Sequence, residues 1–454
     1  NMEKFIELAH LENLEATHVA TVTDTGYMRL FWRGEAIVDI KRSFLDTNGH
    51  QQEAKIKVNS IDEDSRYTDL REITKKKETS EEKYIEAKND QNVSSQRGLV
   101  KKFDNTIGGN TVIAPLGGRY QATPANGMVA KIPVLSGETD TSSIMTFGYN
   151  PKIGKWSPFH GALNAVVESV AKLVALGGDY SSARLTFQEY FEKLGNNPSR
   201  WGKPFSALLG AYYAQSEFEI PAIGGKDSMS GTFNDIDVPP TLISFAVNTE
   251  DAKKVVSQEF KSAGNLLVLV EAPQKDYAFP DFDIMKKNFN VIHSAMQNNK
   301  IKSSYALGYG GLAEAIAKMG FGNKIGLSLD ESISELYSDY DNLFEQSYGS
   351  ILLEVSEKDI DSLEGSNYII IGRTTENPKL DILEKKKHLD KLYRASSKTL
   401  KKKFPTKAQK EIMAPIENIS YEKAENISRK SLNIAKPRVF IPAFPGTNCE
   451  YDSA

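Results

Sequence analysis

The chain has 454 residues, which is too long for one ordinary domain and predicts two or three. Its 56 basic and 60 acidic residues give a net charge of −4, which argues against a nucleic-acid-binding protein. No apolar run is long enough to cross a membrane, and a single cysteine excludes an intrachain disulfide framework. We therefore expect a soluble, cytoplasmic protein without nucleic-acid or membrane partners.

The first part of the chain is rich in β-branched and aromatic residues. Residues 19–23 and 27–32 flank Asp24-Thr25-Gly26, a pattern that predicts a β-hairpin. Residues 35–40 continue as a further strand. About fifty residues of this kind predict that 1–58 is the C-terminal remnant of a domain.

A highly charged segment follows at residues 59–97. Fourteen charged residues stand between positions 62 and 83, with almost no aliphatic ones. This composition predicts a solvated linker, either helical or disordered.

Residues 98–248 have the pattern of a complete α/β domain. The clearest helix is 161–176, where apolar residues repeat at spacings of three and four before Gly177-Gly178. A second helix is predicted at 205–215, and strands are predicted at 111–115, 128–134, 184–187 and 241–247.

A further domain is predicted at residues 249–382. It begins with the buried-type strand 265–270 and contains helices at 283–298 and 312–319, a Gly-rich turn at 304–311, and strands at 350–355 and 368–371. Alternating strands and helices predict the α+β class, a layered fold in which mixed sheets pack with helices. A lysine-rich linker is predicted at 383–435, and 436–454 is interpreted as the truncated start of another domain.

The segment most suggestive of chemistry is I-P-A-I-G-G-K-D-S-M-S-G-T-F at 220–233. Gly224 and Gly225 allow a sharp turn or a close approach to a ligand. Lys226, Asp227 and Ser228 add a cation, a carboxylate and a hydroxyl, which suit phosphate and Mg²⁺. From these residues alone, a phosphate site and a β-turn with polar tips are equally good interpretations.

Four segments together resemble the synthetase part of the large form of phosphoribosylformylglycinamidine synthase, a purine-biosynthesis family. They are P-L-G-G-R-Y-Q-A-T-P-A-N-G-M-V-A-K (115–131), W-S-P-F-H-G-A-L-N-A-V-V-E-S-V-A-K-L-V-A-L-G-G-D (156–179), R-L-T-F-Q-E-Y-F (184–191) and P-A-I-G-G-K-D-S-M-S-G-T-F-N-D (221–235). In addition, F-P-G-T-N-C-E-Y-D (444–452) looks like the start of the glutaminase domain of that family. The order and spacing of the segments make the resemblance specific.

The resemblance implies a glutamine-dependent ligase. In this family ATP activates the amide oxygen of formylglycinamide ribonucleotide, and ammonia released from glutamine displaces phosphate to give the amidine. The implied fold has two halves that each resemble aminoimidazole ribonucleotide (AIR) synthetase, each with an N-type and a C-type domain. This chain would hold the end of the first half and all of the second. A fragment lacking the upstream half and the glutaminase domain is expected to be inactive alone, and its exposed half-to-half interface would allow a homodimer.

The resemblance also implies which residues contact ligands. Gly224, Gly225, Lys226, Asp227 and Ser228 match the stretch that contacts nucleotide, metal and phosphate. Lys226 would neutralise phosphate charge, Ser228 would offer its hydroxyl and backbone N–H, and Asp227 is the metal candidate. No catalytic residue is assigned within the chain. The expected cofactors are ATP and Mg²⁺.

An auxiliary nucleotide site of the family would map to Ala125, Asn126, Glu168 and Gly308. Here the sequence departs from its relatives, because Asn126 replaces an aspartate and Lys172 replaces an asparagine. Glu168 and Lys172 stand four residues apart on one helix, so a salt bridge is predicted between them. We therefore expect an auxiliary site that is poor in metal or replaced by contacts within the protein.

Two residues that invite catalytic assignment are given structural interpretations. His160 stands at the start of a helix, whereas the family's catalytic histidines belong to the upstream half. Cys449 is not the glutaminase nucleophile, which lies further downstream in the family. Two alternatives stay open: a non-catalytic half that binds nucleotide or supports the fold, and another ATP-dependent enzyme of the same superfamily.

Overall fold

The computed structural model describes residues 1–47, 53–61, 70–103, 109–275, 279–330, 333, 337, 339–382, 385–406 and 440–441. The chain divides into two compact units, residues 1–406 and 407–454. In the second unit only Phe440 and Ile441 are described, and neither lies in a strand. Cys449 and most of the domain start predicted at 436–454 therefore fall outside the described residues.

Eleven α-helices have both ends within the described residues of the first unit. They are α1 (Met2–Leu11), α2 (Arg42–Thr47), α3 (Leu70–Thr74), α4 (Ser80–Asn89), α5 (Arg97–Val100), α6 (Pro151–Trp156), α7 (Pro158–Ala175), α8 (Pro198–Phe218), α9 (Phe282–Gln297), α10 (Gly311–Phe321) and α11 (Leu389–Ser396).

Its strands fall into two large sheets and four two-stranded ones. The strands are β1 (Tyr27–Trp32), β2 (Glu35–Lys41), β3 (Thr111–Ile113), β4 (Leu116–Gly117), β5 (Thr123–Pro124), β6 (Gly127–Lys131), β7 (Thr141–Gly148), β8 (Arg184–Tyr190), β9 (Ala222–Lys226), β10 (Thr232–Phe233), β11 (Ile236–Asp237), β12 (Thr241–Asp251), β13 (Leu266–Val270), β14 (Gln274–Lys275), β15 (Phe279–Pro280), β16 (Ile301–Ala306), β17 (Gly326–Leu329), β18 (Ile351–Val355), β19 (Tyr368–Thr375), β20 (Lys379–Ile382) and β21 (Lys385–His388).

The first large sheet has the order β3-β6-β7-β12-β8-β9. Its neighbours are antiparallel except for β8 and β9, which are parallel and place β9 at the edge. Helix α7 packs against one face, and α8 packs against α7. On the other face, called the open face below, Met128, Met145 and Phe147 are exposed.

Helix α7 forms the centre of the first core because its sequence specifies both of its ends. Ser157 precedes it as N-cap and accepts a hydrogen bond from the His160 N–H, and Pro158 occupies the first turn. The chain leaves the helix through Gly177 at φ +109°, a conformation that favours glycine. Between these ends nearly every residue of α7 is buried.

The second large sheet has the order β16-β18-β13-β19-β17-β20-β21. Its central strands β13 and β18 are buried at every position. Strand β13 is the continuous apolar run L-L-V-L-V, whereas β18 also buries Glu354. Strands β17 and β20 are parallel, and the other neighbours are antiparallel. Two mixed sheets packed with helices confirm the predicted α+β class.

The charged segment differs from the solvated linker that its composition predicts. Residues 70–100 form α3, α4 and α5, and Leu70, Tyr84 and Val93 are fully buried in the second core. The three positions are too far apart in sequence to give a recognisable period. Their partners, such as Phe344, come from distant parts of the chain. The segment therefore belongs to the folded unit.

Two other elements also differ from the predictions. The hairpin pairs β1 with β2 rather than 19–23 with 27–32, and it turns through Arg33 and Gly34, both at positive φ. Strand β7 was not predicted, because T-S-S-I-M-T-F-G has few apolar residues. Its inward hydroxyls are satisfied: Ser142 Oγ donates to the Glu250 carbonyl at 2.8 Å and Thr146 Oγ1 to the Ser169 carbonyl at 2.6 Å.

None of the helices in the described ranges combines the length and apolarity required to cross a bilayer.

Candidate functional site

The segment 222–228 lies at the exposed edge of the first sheet. Leu185 pairs with Ala222 and Thr186 with Gly224, so Ile223 forms a bulge between them. Gly224 adopts a φ of +154° with open space around it. Gly224 to Asp227 are all exposed to solvent. The segment is thus an accessible strand end rather than an isolated turn.

Gly225 has a structural reason to be glycine. A Cβ at this position would lie 2.4 Å from the carbonyl oxygen of Phe187, on the neighbouring parallel strand. Gly225 was expected to approach a ligand closely, but here it packs closely against the Phe187 backbone instead. Gly224 remains free to approach a ligand.

The polar residues of this segment are already partly hydrogen-bonded. Lys226 Nζ donates to the Asp227 carbonyl at 3.0 Å, and the Ser228 hydroxyl lies 2.8 Å from that of Ser230. The Ser228 N–H donates to the Glu189 carbonyl at 3.1 Å. The backbone N–H expected to bind phosphate is thus engaged in this structure, and the accessible groups are the Lys226 ammonium, the Asp227 carboxylate and the Ser228 hydroxyl.

Sequence reasoning missed Glu189, which follows Gln188 at the end of β8. Burial raises the pKa of the Glu189 carboxyl, and the nearby Asp227 carboxylate raises it further. Two neighbouring carboxylates beside a lysine could hold a hard cation together with phosphate oxygens. The position of Glu189 in Q-E-Y-F, at the carboxyl end of a strand, is the feature of the sequence that could have indicated a role in the site.

Three of the four residues predicted for the auxiliary site meet at the end of β16. Asn126 Oδ1 accepts from the Ala306 N–H at 3.0 Å. Beside it, a Cβ on Gly308 would lie 3.5 Å from Glu168 Oε1. The fourth residue, Ala125, lines an adjoining cleft of about 190 Å³ together with Glu259 and Gln258, whose Oε1 accepts from the Asn126 N–H at 3.3 Å.

The predicted salt bridge between Glu168 and Lys172 is confirmed. Lys172 Nζ lies 2.8 Å from Glu168 Oε1 and also donates to the Phe147 carbonyl at 3.0 Å. The other carboxylate oxygen of Glu168 accepts from the Tyr149 N–H at 2.9 Å. Both side chains are largely buried, so each of these contacts is made in a low-dielectric environment.

Two more lysine–carboxylate pairs contact the Gly-rich turn that follows β16. Neither pair was predicted from the sequence. Lys318 pairs with Glu314, whose other oxygen accepts from the Gly310 N–H at 2.8 Å. Burial alone would raise the pKa of Glu314. The positive charges of Lys318 and Lys88 outweigh this effect, so the pKa of Glu314 is lowered. Lys152 pairs with Asp90 at 3.2 Å and with the Tyr309 hydroxyl.

His160 is buried in the first turn of α7. Its Nδ1 lies 2.8 Å from Ser157 Oγ, and its ring packs against Trp156, Phe159 and Phe279. This environment agrees with a structural role. Within the described ranges, no three His, Cys, Asp or Glu side chains are grouped as metal ligands.

Comparison with known proteins places these features in context. No protein-family model matches the chain. The chain is 23% identical over 403 residues to the phosphoribosylformylglycinamidine synthase subunit PurL of Thermoplasma acidophilum, covering 83% of this chain and 50% of that protein. PurL of Campylobacter jejuni is 22% identical over 427 residues, covering 87% and 55%. The chain is therefore similar in sequence to PurL over most of its length.

The resemblance stated from the sequence motifs is thereby confirmed. The chain spans about half the length of the PurL proteins it matches. Among solved structures, PurLQS from Thermotoga maritima aligns with a TM-score of 0.48 and 14% identity, covering 82% of this chain and 53% of that chain. PurL of the same organism complexed with ATP aligns with a TM-score of 0.46 and 13% identity, covering 82% and 53%.

Proposed function

We propose that the chain supplies one half of an ATP-dependent ligase of de novo purine biosynthesis. The reaction converts formylglycinamide ribonucleotide and glutamine-derived ammonia to formylglycinamidine ribonucleotide, ADP and phosphate. The observation that carries the proposal is the similarity to PurL, which extends over 83% of the chain and includes the segment 222–228. The upstream half and a glutaminase are the proposed partners, and the cytoplasm is the proposed location.

The segment 222–228 would serve as the phosphate-binding edge of this site. Lys226 can neutralise phosphate charge, and the Ser228 hydroxyl can donate to a phosphate oxygen once it releases Ser230. Asp227, with Glu189 beside it, would hold Mg²⁺. When bound, that ion would neutralise charge developing on the transferred phosphoryl group. Positioning and charge neutralisation are the main catalytic requirements of such a transfer.

The open face of the first sheet is suited to contact with a second sheet. Its exposed apolar residues include Met128, Met145 and Phe147. A face of this composition is stabilised by a second sheet packed against it. We assign that place to the corresponding sheet of the other synthetase half.

A second candidate function is a supporting half that makes no contact with the reacting nucleotide. It is favoured by the Ser228 N–H bond to Glu189 and by the packing of Gly225 on Phe187, which are both structural contacts. Nucleotide binding separates the two candidates, because the supporting half would not use Lys226.

ATP binding to the full chain provides the test. With Mg²⁺ present, isothermal titration calorimetry is expected to show ATP binding that is roughly 10- to 150-fold weaker in Lys226→Met, since a charge-assisted phosphate contact contributes about 1.5–3 kcal/mol. Lys302→Met, an exposed lysine on β16 of the other sheet, is the matched control and should bind as the unmodified chain does. Equal affinity in all three proteins would favour the supporting half. Formation of the amidine from ammonium, measured with the upstream half added, tests the reaction itself.

We further propose that contacts within the protein replace metal at the auxiliary site. Lys172 places an ammonium against Glu168, where a divalent ion would need carboxylate or amide oxygen, and Asn126 Oδ1 is engaged by the Ala306 N–H.

Metal analysis after exhaustive dialysis should therefore find fewer than two tightly bound Mg²⁺ ions per chain. The variant Asn126→Asp/Lys172→Asn, which supplies oxygen ligands at both positions, should bind at least one more. Two or more tightly bound ions in the unmodified chain would refute the replacement.

A further inference from the structure

Helix α8 exposes an apolar stripe on the side opposite its buried residues. The α8 stripe consists of Phe205, Leu208, Leu209 and Tyr212, whose exposed fractions are 40%, 51%, 41% and 66%. Their spacing of three, four and seven residues places them along one side of the helix. The opposite side, with Ala207, Ala211 and Ala214, is buried.

This distribution is unusual for a helix at the surface of a globular unit. An amphipathic surface helix normally turns its charged and polar residues toward solvent. Here α8 has an apolar side buried in the core and a second apolar side in solvent. A contiguous exposed patch of this kind is typical of a protein interface.

A neighbouring segment extends the surface beyond the start of α8. The Lys57 N–H donates to the Pro198 carbonyl at 2.9 Å, and a Cβ on Gly202 would lie 2.1 Å from the Lys57 carbonyl oxygen. The segment therefore crosses the helix in direct contact with it. It adds Ile56 and Val58, which are 45% and 52% exposed.

The charges at the two ends of this surface are opposite in sign. Lys55 and Lys57 are exposed at the end where the segment crosses Gly202. Glu219, also exposed, follows α8 at the other end. The helix between Gly202 and Glu219 is roughly 26 Å long. Two such surfaces related by a two-fold axis place the lysines of each copy against the glutamate of the other.

We propose that two copies of this chain associate through the α8 stripe, with their α8 helices antiparallel. The surface lies on the helix side of the first sheet, away from the open face assigned to the other synthetase half, so the inference is independent of the proposed reaction. A contact made by one helix and one extended segment per copy is small. We expect a dissociation constant of roughly 1–100 μM, as for other small interfaces.

The test is sedimentation equilibrium of the full chain from about 1 to 200 μM. The unmodified chain is expected to change from monomer to dimer over this range. Leu208→Glu should remain monomeric, because it places two carboxylates in the apolar centre. Leu135→Glu, at a residue 96% exposed outside the α8 stripe, is the matched control and should dimerise normally.

The charge arrangement provides a second test that does not depend on the apolar variant. Lys57→Glu and Glu219→Lys should each weaken the dimer at least fivefold, and the double variant should restore it. Only the Lys57 side chain is changed, so its backbone bond to Pro198 is kept. Circular dichroism confirms that each variant is folded.

Three results would overturn the inference. The first is a chain that stays monomeric at 200 μM. The second is a dimer that Leu208→Glu leaves intact while Met145→Glu, on the open face, abolishes it. The third is a double charge variant no better than its single parents.

Discussion

Replacing Lys88 with methionine should raise the free energy of unfolding near pH 7 by roughly 2–4 kcal/mol. Lys88 lies on α4 and is 1% exposed, and its Nζ has no hydrogen-bond partner among the described residues. The pKa of this amine is lowered from 10.5 to about 7, chiefly by burial and also by the nearby Lys318, while Glu314 opposes the change. Methionine has a similar length and carries no charge, so burying it does not remove a charge from water.

The pH dependence of this gain has a definite sign. Because the folded pKa is about 7 and the unfolded value 10.5, the unfolded chain binds more protons between these two values. The unmodified protein therefore gains stability from Lys88 deprotonation as pH rises through this window, by up to about 1.4 kcal/mol per pH unit. Below pH 7 the lysine is protonated in both states and its cost is constant.

Urea unfolding at pH 6, 7, 8 and 9 provides the measurement. The advantage of Lys88→Met should be largest at pH 6–7 and should shrink toward pH 9. Lys83→Met is the matched control, because Lys83 lies on the same helix but pairs with Asp341, so its removal should destabilise the protein. An advantage of Lys88→Met that is the same at every pH would show that Lys88 does not titrate in this window.

Replacing Gly118 with alanine should destabilise the first unit by roughly 3–5 kcal/mol. Gly118 has a φ of +82°, and a Cβ there would lie 2.4 Å from the carbonyl carbon of Gly322. Backbone lies on both sides of this contact, so no flexible side chain can move aside. The nearby loop is also fixed by bonds from Tyr120 N–H to the Gly322 carbonyl and from Gly322 N–H to Thr123 Oγ1, both 2.9 Å.

A matched glycine separates the steric clash from the cost of the backbone conformation. Gly264 has a φ of +90° but open space where a Cβ would stand. Gly264→Ala should therefore cost only about 1–2 kcal/mol. Thermal unfolding of both variants makes the comparison. Equal losses at the two sites would show that the loop at Gly118 can move away from α10.

The sequence was sufficient to predict the elements whose own pattern defines them. Helix α7 has an N-cap, a proline, a regular apolar period and a terminal glycine, and it was predicted to within a few residues at each end. Strand β13 is a continuous apolar run bounded by polar residues. In both elements the local chemistry and the tertiary environment favour the same structure.

The elements that were missed depend on distant partners. Strand β7 is held by the carbonyls of Ser169 and Glu250, and no local pattern indicates those bonds. Dependence on distant partners also explains which features of the candidate site were predicted and which were not. The Glu168–Lys172 pair follows from helix spacing, whereas the packing of Gly225 on Phe187 depends on a parallel strand pair that only the fold creates.

The docking of residues 70–100 has a consequence for the timing of protein synthesis. The Ser95 N–H donates to the carbonyl of Ser396, and a Cβ on Gly98 would collide with the backbone of Phe404, so this segment is completed by residues about 300 positions later. At about 5–20 residues per second, ribosomes need about 15–60 s to reach them. During that interval Leu70, Tyr84 and Val93 emerge without their final neighbours. The nascent chain therefore carries an exposed apolar segment that chaperones can bind until α11 has been made.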